Sequence, residues 1–374
     1  MRVLVAGGRL WTSGYGGTQS VYTLCEWLNK RHSVIFYGDV DEHSCKVIST
    51  HIKWRTFPNL PFTPPHTQKL LTELMVSLHL RKVWTAYTPD LYICDWAGIF
   101  APGSCKLRNA PSILFLRCRD WGDTLELDFE LNRRYPLHKR LIQQITFRLR
   151  GLRNRRLAHH FSLIIANSRF IQNSLSRLGL SSEVVYPFIE LDAHLVPDKS
   201  PQDSQFITFV NCSLPKGLAV AYEVARCLPE YRFLFVGIQT KKEWRQKVSS
   251  LPNVTVWEWQ EDMRKVWRVT KILLVPSLRR EPFGRVPVEA GINAIPSIAS
   301  RIGGLPESVG DGGILIDEPR NVEMWCEAVE KLMENDDLRN HLGEQAKRHA
   351  ERLRAEAMLE RFRNIVWKRL GIQV

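Results

Sequence analysis

Cysteine pairs, long apolar runs and a cleavable leader are all missing from this sequence. Its eight cysteines are scattered and no two of them form a Cys-x-x-Cys pair, so neither a zinc site nor a redox motif is expected. No apolar run approaches the ~20 residues that a membrane-spanning helix needs. The segment Met1–Ala6 enters a short apolar run and then a glycine loop, which predicts a buried strand rather than a signal peptide. We therefore expect a cytoplasmic protein with reduced thiols and without a bound metal.

Acidic residues are missing from one long segment of the first half. Between Leu131 and Ser182 there is no Asp or Glu, and the segment carries eleven Arg and Lys residues, whereas the whole chain has a net charge of +13. Such an uneven charge distribution suggests an anionic partner, which could be a membrane, a phosphorylated acceptor or a nucleic acid. A solvated helix face is the alternative.

Apolar residues within that segment recur at the spacing of one helix face. In the stretch 136–160 they are Leu137, Leu141, Ile145, Leu149 and Leu152. This spacing predicts a helix with one apolar stripe. Such a stripe most often packs onto its own domain, but beside so many basic residues it could also lie among anionic lipid headgroups.

The length of 374 residues favours two domains over a single core. Short apolar runs alternate with longer helical patterns, as expected for βα units and a parallel sheet. The runs are rich in Ile, Val, Leu and Phe without alternation, which is typical of strands covered on both faces. The predicted strands are Val3–Ala6, Val34–Tyr37, Leu91–Cys94, Ile113–Leu116, Leu163–Ala166, Val184–Tyr186, Ile207–Val210, Phe233–Val236, Val254–Trp257, Ile272–Val275, Ser297–Ala299 and Ile314–Ile316. Between the two halves, Val196–Ser204 contains two prolines and polar neighbours, which predicts an interdomain linker.

The strongest motif is the segment Leu274–Ala290. A strand ends near Pro276, a glycine turn follows, and a helix begins around Arg285. The turn puts Glu281 outside the carboxyl end of the sheet, where α/β proteins bind ligands, and directs backbone N–H groups toward hydroxyl or phosphate oxygens. Glu289 follows after seven intervening residues. Two carboxylates at this spacing could bind vicinal hydroxyls on two sugar rings of one ligand.

A second glycine loop follows the first strand. Gly14–Thr18 precedes a helical run from about Gln19 to Lys30. Glycine lets the backbone approach an oxyanion closely, and the helix N-terminus favours negative charge. The loop lacks a clean G-x-G-x-x-G, and no ribose-binding acid follows the second strand, so a dehydrogenase is disfavoured.

These motifs together resemble the family-4 retaining glycosyltransferases of the GT-B fold. In that family two glutamates are separated by seven residues, with Pro-Phe-Gly after the first. Further similar blocks are Ile302–Gly310, Gly312–Leu315, Ile164–Phe170, Val184–Pro187 and Lys216–Gly217. The resemblance implies an α/β protein of two facing Rossmann-like domains with a cleft between them. It places the acceptor in domain 1–195 and the nucleotide sugar in domain 203–354, with a helix of about 355–374 packing back on the first domain.

The resemblance also implies roles for single residues. Glu281 would contact the transferred sugar and Lys216 would lie on the donor phosphates as a point charge, so these two are the candidate catalytic residues. Glu289 would contact the nucleotide ribose. The full set of implied donor-binding residues is Glu289, Phe283, Gly284, Gly16, Gly17, Asn211 and Arg285.

The chain departs from the family pattern in both domains. Where the family commonly has an arginine before the Lys-Gly pair, this chain has Asn211-Cys212. Phosphate charge would then fall to Lys216, helped by another basic residue such as Arg279, Arg280 or Arg285. In the first domain the family's histidines are absent, and the candidates on the acceptor side are Arg117, Arg119 and Asp95.

The activity implied is transfer of a hexose from a nucleotide-diphosphate sugar to an acceptor hydroxyl, with retention of configuration. It needs neither metal nor other cofactor, because stabilisation of the departing phosphate supplies most of the catalysis. We expect a lipid-linked or anionic acceptor, peripheral association with an anionic membrane at its inner face, and no nucleic acid. The alternatives are a basic membrane- or nucleic-acid-binding protein without catalysis, or another GT-B enzyme. An epimerase should lack the Glu281–Glu289 block, and a phosphorylase should carry a cofactor lysine.

Overall fold

The computed structural model describes residues 1–10, 16–40, 42, 44–53, 76, 78–95, 110–117, 151–240 and 242–374. The chain forms two compact units. The first contains Met1–Phe188 together with Met358–Val374, and the second contains Ile189–Ala357.

The first unit is built on a parallel sheet. Among its described residues the strands are β1 (Arg2–Leu10), β2 (Ser33–Val40), β3 (Thr50–Lys53), β4 (Leu91–Asp95), β5 (Ser112–Leu116), β6 (Leu163–Ala166) and β7 (Glu183–Val184). They lie in the order β3-β2-β1-β4-β5-β6-β7, and every neighbouring pair is parallel. The helical segments are Gly16–Asn29, Ser44–Val47 (3₁₀), 78–87, 151–158 and Arg169–Arg177. The central strands are buried on both faces because helices pack on each side.

The C-terminal helix Ala355–Leu370 brings an aromatic cluster to this unit. The Phe362 ring packs against Phe115 and Phe188, with ring centroids 5.4 Å and 6.4 Å away, and Trp27 lies 6.2 Å from it. All three phenylalanines are buried. The end of the chain is therefore part of the core of the first unit.

The second unit repeats the same architecture. Its strands are β8 (Phe206–Val210), β9 (Phe233–Val236), β10 (Val254–Trp257), β11 (Thr270–Val275), β12 (Ser297–Ser300) and β13 (Gly313–Ile316). They form a parallel sheet in the order β10-β9-β8-β11-β12-β13. The helices are Leu191–Ala193, Pro201–Asp203 and Leu214–Lys216 (all 3₁₀), Leu218–Cys227, Lys242–Ser249, Arg264–Val269, Val286–Gly291, Leu305–Val309, Val322–Glu334 and Asp336–Arg352. Trp267 and Trp325 are fully buried in its core.

The predicted fold class is confirmed, and each of the twelve predicted strands overlaps an observed strand, although β7 shares only Val184 with the predicted Val184–Tyr186. The short strand β3, which pairs with β2, was not predicted, because its residues Thr50–Lys53 are mostly polar. The chain passes from one unit to the other between Phe188 and Ile189. The expected linker 196–204 lies inside the second unit, where Val196 N–H donates to Asn293 Oδ1 at 2.7 Å.

The basic segment is described only from residue 151 onward. Leu152 is 57% exposed, whereas Asn154 and Ala158 of the same helix are buried. The prediction that the apolar stripe packs onto its own domain is therefore wrong at Leu152. The other four residues of the stripe lie outside the described residues. None of the described helices is both long and apolar enough to cross a membrane.

Candidate active site

The sheet order of the second unit predicts where a ligand binds. The chain runs outward in one direction from β8 to β10 and in the other direction from β11 to β13. In open parallel sheets of this kind, ligands bind at the carboxyl ends of the two central strands, where the order reverses. The loops after β8 and β11 carry Lys216 and Glu281, so this edge is where the predicted catalytic residues meet.

Lys216 is fixed by the loop that follows β8. The short 3₁₀ turn that carries it ends at Gly217, with φ +90°. A Cβ at Gly217 would lie 1.8 Å from Pro276 O, so only glycine lets this loop meet the end of β11. From the other loop, Leu278 N–H donates to Pro215 O at 3.1 Å. The two loops thus hold each other in register.

Glu281 is held by two donors at one oxygen. Lys216 Nζ donates to Glu281 Oε1 in an ion pair, and Ser277 Oγ donates to the same oxygen at 2.7 Å. Ser277 is fully buried. The carboxylate is therefore fixed between a cation and a hydroxyl group, at the end of β11.

Two glycines behind this loop determine its path. Gly304 N–H donates to Glu281 O at 2.8 Å. A Cβ at Gly303 would lie 2.4 Å from Glu281 O, and one at Gly304 would lie 2.4 Å from Pro282 O. Any side chain at either glycine would push the glutamate loop out of place.

The turn after Glu281 reverses at Gly284, with φ +85°. A Cβ there would lie 2.6 Å from Leu305 Cδ2, and Ser308 Oγ donates to Gly284 O. Phe283 is buried, with 1% of its surface exposed. The Phe283 ring therefore anchors the turn in the core, and the backbone of Gly284 stays at the pocket.

Glu289 has a separate set of partners. Arg285, the N-cap residue of the helix Val286–Gly291, places Nε 3.0 Å from Glu289 Oε1, and each side chain is 11% exposed. His194 Nε2 lies 4.0 Å from the same oxygen. Burial lowers the pKa of the His194 imidazole below its ordinary value, and the Glu289 carboxylate opposes this shift only in part. Near neutral pH the Glu289 carboxylate therefore faces one permanent cation and one neutral ring.

A pocket of about 430 Å³, which includes space open to solvent, lies between these elements. Its lining consists of Phe209, Val210, Asn211, Lys216, Leu274, Val275, Ser277, Glu281, Gly284, Arg285, Val286, Pro287 and Leu305. Five of the predicted site residues line this pocket, namely Asn211, Lys216, Glu281, Gly284 and Arg285, whereas the predicted donor-binding residues Glu289 and Phe283 are not among its described lining residues. Asn211 has a left-handed backbone, with φ +61°. Arg279 and Arg280, offered as alternatives for the phosphate charge, are not among the described residues that line it.

The described residues of the site in the second unit do not include the predicted residues Gly16, Gly17 and Arg119. Gly16 and Gly17 are the first residues of the helix Gly16–Asn29 in the first unit. Arg119 lies outside the described residues. Two residues of the site were not predicted: the Ser277 hydroxyl, four positions before Glu281, and the mostly buried His194 ring. The position of Ser277 just past the end of β11 was a usable signal, whereas His194 has no recognisable motif around it.

The first unit holds a mostly buried ion pair at the ends of two adjacent strands. Asp95 ends β4 and Arg117 follows β5, and Arg117 Nε lies 3.6 Å from Asp95 Oδ1. The guanidinium also lies over the Phe115 and Phe188 rings, at 5.1 Å and 6.0 Å from their centroids. Burial raises the pKa of the Asp95 carboxyl, and Arg117 offsets this only in part. Both residues were predicted on the acceptor side.

Residues 194–349 match the family model described as Glycosyl transferases group 1. This group 1 match covers less than half of the chain, and it contains every residue of the pocket. Among the residues that the structure describes, no three His, Cys, Asp or Glu side chains are grouped so that they could hold a metal ion.

Curated relatives of the chain include D-inositol 3-phosphate glycosyltransferases. The one from Segniliparus rotundus is 27% identical over 237 residues, which cover 54% of this chain and 52% of the relative. The one from Corynebacterium kroppenstedtii is 42% identical over 94 residues, which cover 25% of this chain and 20% of the relative. The chain thus spans between a fifth and about half of the length of these relatives.

Solved structures resemble the chain over nearly its whole length. Anabaena Alr3699/HepE in complex with UDP has a TM-score of 0.73 and 18% identity, over 98% of this chain and 100% of that one. Sucrose-phosphate synthase from Thermosynechococcus elongatus has a TM-score of 0.74 and 17% identity, over 99% of both chains. At such identities the likeness shows the fold alone, and this fold is GT-B.

Proposed function

We propose that this chain is a family-4 retaining glycosyltransferase, which moves a hexose from a nucleotide-diphosphate sugar to an acceptor hydroxyl. The observation that supports this most is that one pocket collects Lys216, Glu281 and Arg285 at the carboxyl ends of β8 and β11. The relatives named above are glycosyltransferases, and HepE binds UDP and, in a second structure, UDP-glucose. These likenesses favour a UDP-sugar as donor.

The chemistry proposed for the pocket is stabilisation of the leaving diphosphate. Lys216 Nζ contacts Glu281 Oε1, so a diphosphate in the pocket would share the ammonium group with this carboxylate. Preorganised cations that face developing negative charge lower the barrier most in a site shielded from water. Arg285, 11% exposed, adds a second cation. The proposed mechanism assigns the charge of the leaving group to these two side chains and uses no metal ion.

Glu281 is assigned to the transferred sugar. The sugar becomes positively charged as its bond to the diphosphate breaks, and a fixed carboxylate nearby stabilises that charge. Ser277 and Lys216 orient the carboxylate through Oε1. The departing phosphate oxygen would take the proton of the acceptor hydroxyl, so no protein base is assigned and the configuration at the sugar is retained.

The first unit is proposed to face the acceptor. Asp95 and Arg117 end adjacent strands there and are both mostly buried. The helix 151–158 exposes Leu152 together with Arg155 and Arg156. An exposed leucine flanked by arginines fits the interfacial arrangement of peripheral proteins on anionic lipids. We therefore include a lipid-linked or anionic acceptor and peripheral membrane association in the proposal.

The experiment that tests the proposal is a panel of donors. The protein is incubated with UDP-, GDP- and ADP-hexoses, and released nucleoside diphosphate is measured, with slow hydrolysis as the readout where no acceptor is present. We expect release from one nucleotide class, and the α-configuration of the released or transferred sugar by NMR when the donor is α-linked. Release should persist in EDTA. Conversion of the sugar without nucleotide release would indicate an epimerase instead, and no turnover or binding of any donor would overturn the proposal.

A further inference from the structure

His194 is joined to the helix that carries Glu289 by a pair of hydrogen bonds. Asn293 follows this helix, and its side chain spans the segment that carries the histidine. Asn293 Nδ2 donates to His194 O at 3.0 Å, and Asn293 Oδ1 accepts from Val196 N–H at 2.7 Å. Both bonds lie on the carboxyl side of the histidine, one at its own carbonyl and one at Val196 two residues further on. The backbone just after the ring is therefore fixed relative to the helix that carries Glu289.

The ring itself is enclosed. Only 12% of the His194 side chain is exposed, and Nδ1 is buried without a hydrogen-bond partner among the described residues. A buried polar atom without a partner is unusual and calls for an explanation. The other nitrogen, Nε2, faces Glu289 Oε1 at 4.0 Å. The charged groups around the ring are Glu289, Arg285 and Asp262.

Arg285 and His194 approach the same oxygen of Glu289. Arg285 Nε lies 3.0 Å from Oε1, and His194 Nε2 lies 4.0 Å from it. Neither contact is a hydrogen bond, but the Arg285, His194 and Glu289 side chains are each only 11–12% exposed, so the two neighbours leave the carboxylate little room to rotate about its last bond. A carboxylate that is fixed in this way is prepared to accept hydrogen bonds from a pair of hydroxyl groups in one geometry only.

We propose that His194 is a positioning residue of the donor site, which together with Arg285 orients the Glu289 carboxylate for the ribose hydroxyls of the nucleotide. This inference rests on the proposed function, because it takes a ribonucleotide as the ligand. His194 does not touch the ligand in this proposal. It acts through Glu289, and its effect should be specific for the ribose.

The test compares ribonucleotides with 2′-deoxyribonucleotides by isothermal titration calorimetry. UDP, GDP and ADP are first titrated into the wild-type protein, and the tightest of the three is then compared with its 2′-deoxy form. We expect His194→Ala to weaken the ribonucleotide about fivefold to tenfold, because the Glu289 carboxylate is then free to rotate away from the ribose hydroxyls. Binding of the 2′-deoxy form should change by less than about twofold.

His194→Gln provides the conservative variant, because its amide N–H group reaches a position near that of Nε2. It should restore most of the discrimination between ribose and deoxyribose. In turnover, His194→Ala should raise the donor KM and leave kcat unchanged, as expected for an interaction made equally in the ground and transition states. His341→Gln, an exposed histidine of the same unit, is the matched control and should change nothing.

Each outcome decides the inference. Equal weakening of both nucleotides by His194→Ala, or a lower melting temperature with no change in discrimination, would show a structural role and overturn it. So would an effect of His194→Ala that persists in full in a Glu289→Gln background, since coupled residues should be non-additive. If the wild-type protein binds none of UDP, GDP and ADP, the proposed function fails first and this inference falls with it.

Discussion

Glu281 and Lys216 contact each other, so a substitution at either residue changes the environment of both. Lys216 Nζ and Ser277 Oγ both donate to Glu281 Oε1. Removal of the carboxylate charge leaves the ammonium group without its anion inside the pocket, whereas removal of the ammonium group leaves the carboxylate with a hydroxyl donor only. The two variants should therefore fail in different ways.

Glu281→Gln should abolish sugar transfer while the fold stays intact. The substitution keeps the volume and the hydrogen bond with Ser277 but removes the negative charge beside the sugar. Loss of a single electrostatic group in the transition state typically costs about a hundredfold to a thousandfold in kcat. The measurement is kcat with the best donor, with circular dichroism as the check on folding. Turnover within about threefold of wild type would remove Glu281 from the catalytic assignment.

Lys216→Ala should weaken nucleoside diphosphate binding more than nucleoside binding. Its proposed role is electrostatic, and a hydrogen bond to a charged group contributes about 1.5–3 kcal/mol. Calorimetry with UDP and with uridine separates the two effects, and we expect a loss of about tenfold to a hundredfold for UDP alone. Arg279→Ala is the control, because Arg279 is not among the described residues of the pocket lining. Equal losses for both ligands would move the phosphate site elsewhere.

At the scale of elements, the glycines of the second unit determine how closely two loops approach. Gly303 has φ +61°, and a Cβ added there would lie 2.4 Å from Glu281 O. Gly371 has a similar φ, +68°, but nothing lies within 4 Å of its Cβ position. Gly371 belongs to the first unit, but the two positions share the backbone strain and differ in the clash, so Gly371 serves as the control for Gly303.

Gly371→Ala should cost only the strain of a left-handed residue, about 1–2 kcal/mol. Gly303→Ala should cost more, because the glutamate loop must also move. We expect it to lower the melting temperature further than Gly371→Ala does and to reduce turnover, since Glu281 shifts with its loop. Differential scanning calorimetry and the donor assay measure the two effects. Equal destabilisation by the two variants, with normal turnover in both, would show that the loop carrying Glu281 accommodates the added methyl group without loss of stability or activity.

The elements that could be predicted from the sequence are those whose pattern is local. Buried parallel strands such as Val3–Ala6 are apolar along their whole length, so their existence follows from composition. The loop that carries Glu281 was predicted by its position between a strand and a helix, and the group 1 match includes it. Contacts between distant segments were not predictable in this way. His194 approaches Glu289 from 95 positions away, and no spacing rule connects them.

The edge strand β3 and the helix 151–158 also depend on contacts that the local sequence pattern does not reveal. Among the described strands Thr50–Lys53 pairs only with β2, so polar residues are tolerated there and the apolar signal is absent. Helical spacing predicted which residues share a face with Leu152, but not whether that face meets the core or the solvent. Asn154 and Ala158 are buried and Leu152 is not. This choice of face depends on which elements pack against the helix, and the spacing of apolar residues in the sequence does not reveal them.

At the scale of the whole molecule, histidine burial makes stability depend on pH. Burial lowers the pKa of His194 and His349 below the ordinary value of 6.5. As the pH falls below about 6.5, the unfolded chain binds these protons first, so the free energy of unfolding falls. Asp95 acts in the opposite direction, because its raised pKa lets the folded state take up a proton first.

The double variant His194→Gln with His349→Gln isolates the histidine contribution, since Asp95 is the same in both proteins. Between pH 7.5 and pH 5.5 (bracketing the ~6.5 of an unperturbed histidine), we expect the wild type to lose more unfolding free energy than the double variant. Urea unfolding at several pH values measures this difference. His341→Gln, at an exposed position of the same unit, should follow the wild-type curve. Parallel curves for the wild type and the double variant would mean that neither histidine is held neutral by the fold.

Membrane association is the proposal that concerns the protein as a whole, and the helix 151–158 gives it a test. Its exposed side chains include Leu152, Arg155 and Arg156. A basic residue near an anionic surface contributes about 1 kcal/mol, and salt screens this attraction. The double variant Arg155→Gln with Arg156→Gln should therefore lose about 2 kcal/mol, or about thirtyfold in binding to vesicles rich in phosphatidylserine at low salt.

The matched control replaces two exposed cations of the second unit, Lys242→Gln and Arg348→Gln, and changes the net charge by the same amount. If the helix 151–158 meets the membrane, the control should sediment with vesicles nearly as well as the wild type, because its charges lie elsewhere. If the whole protein is attracted only through its net charge, the two double variants should lose binding equally, since each removes the same charge. Leu152→Ser should weaken vesicle binding more at high salt than at low salt. At high salt the charge attraction is screened, and insertion of the leucine side chain holds the helix on the membrane. Failure of the wild-type protein to sediment with these vesicles at low salt would overturn the membrane proposal. A soluble anionic acceptor would then be the expected partner of the basic segment. In that case the Arg155 and Arg156 double variant should have a raised acceptor KM.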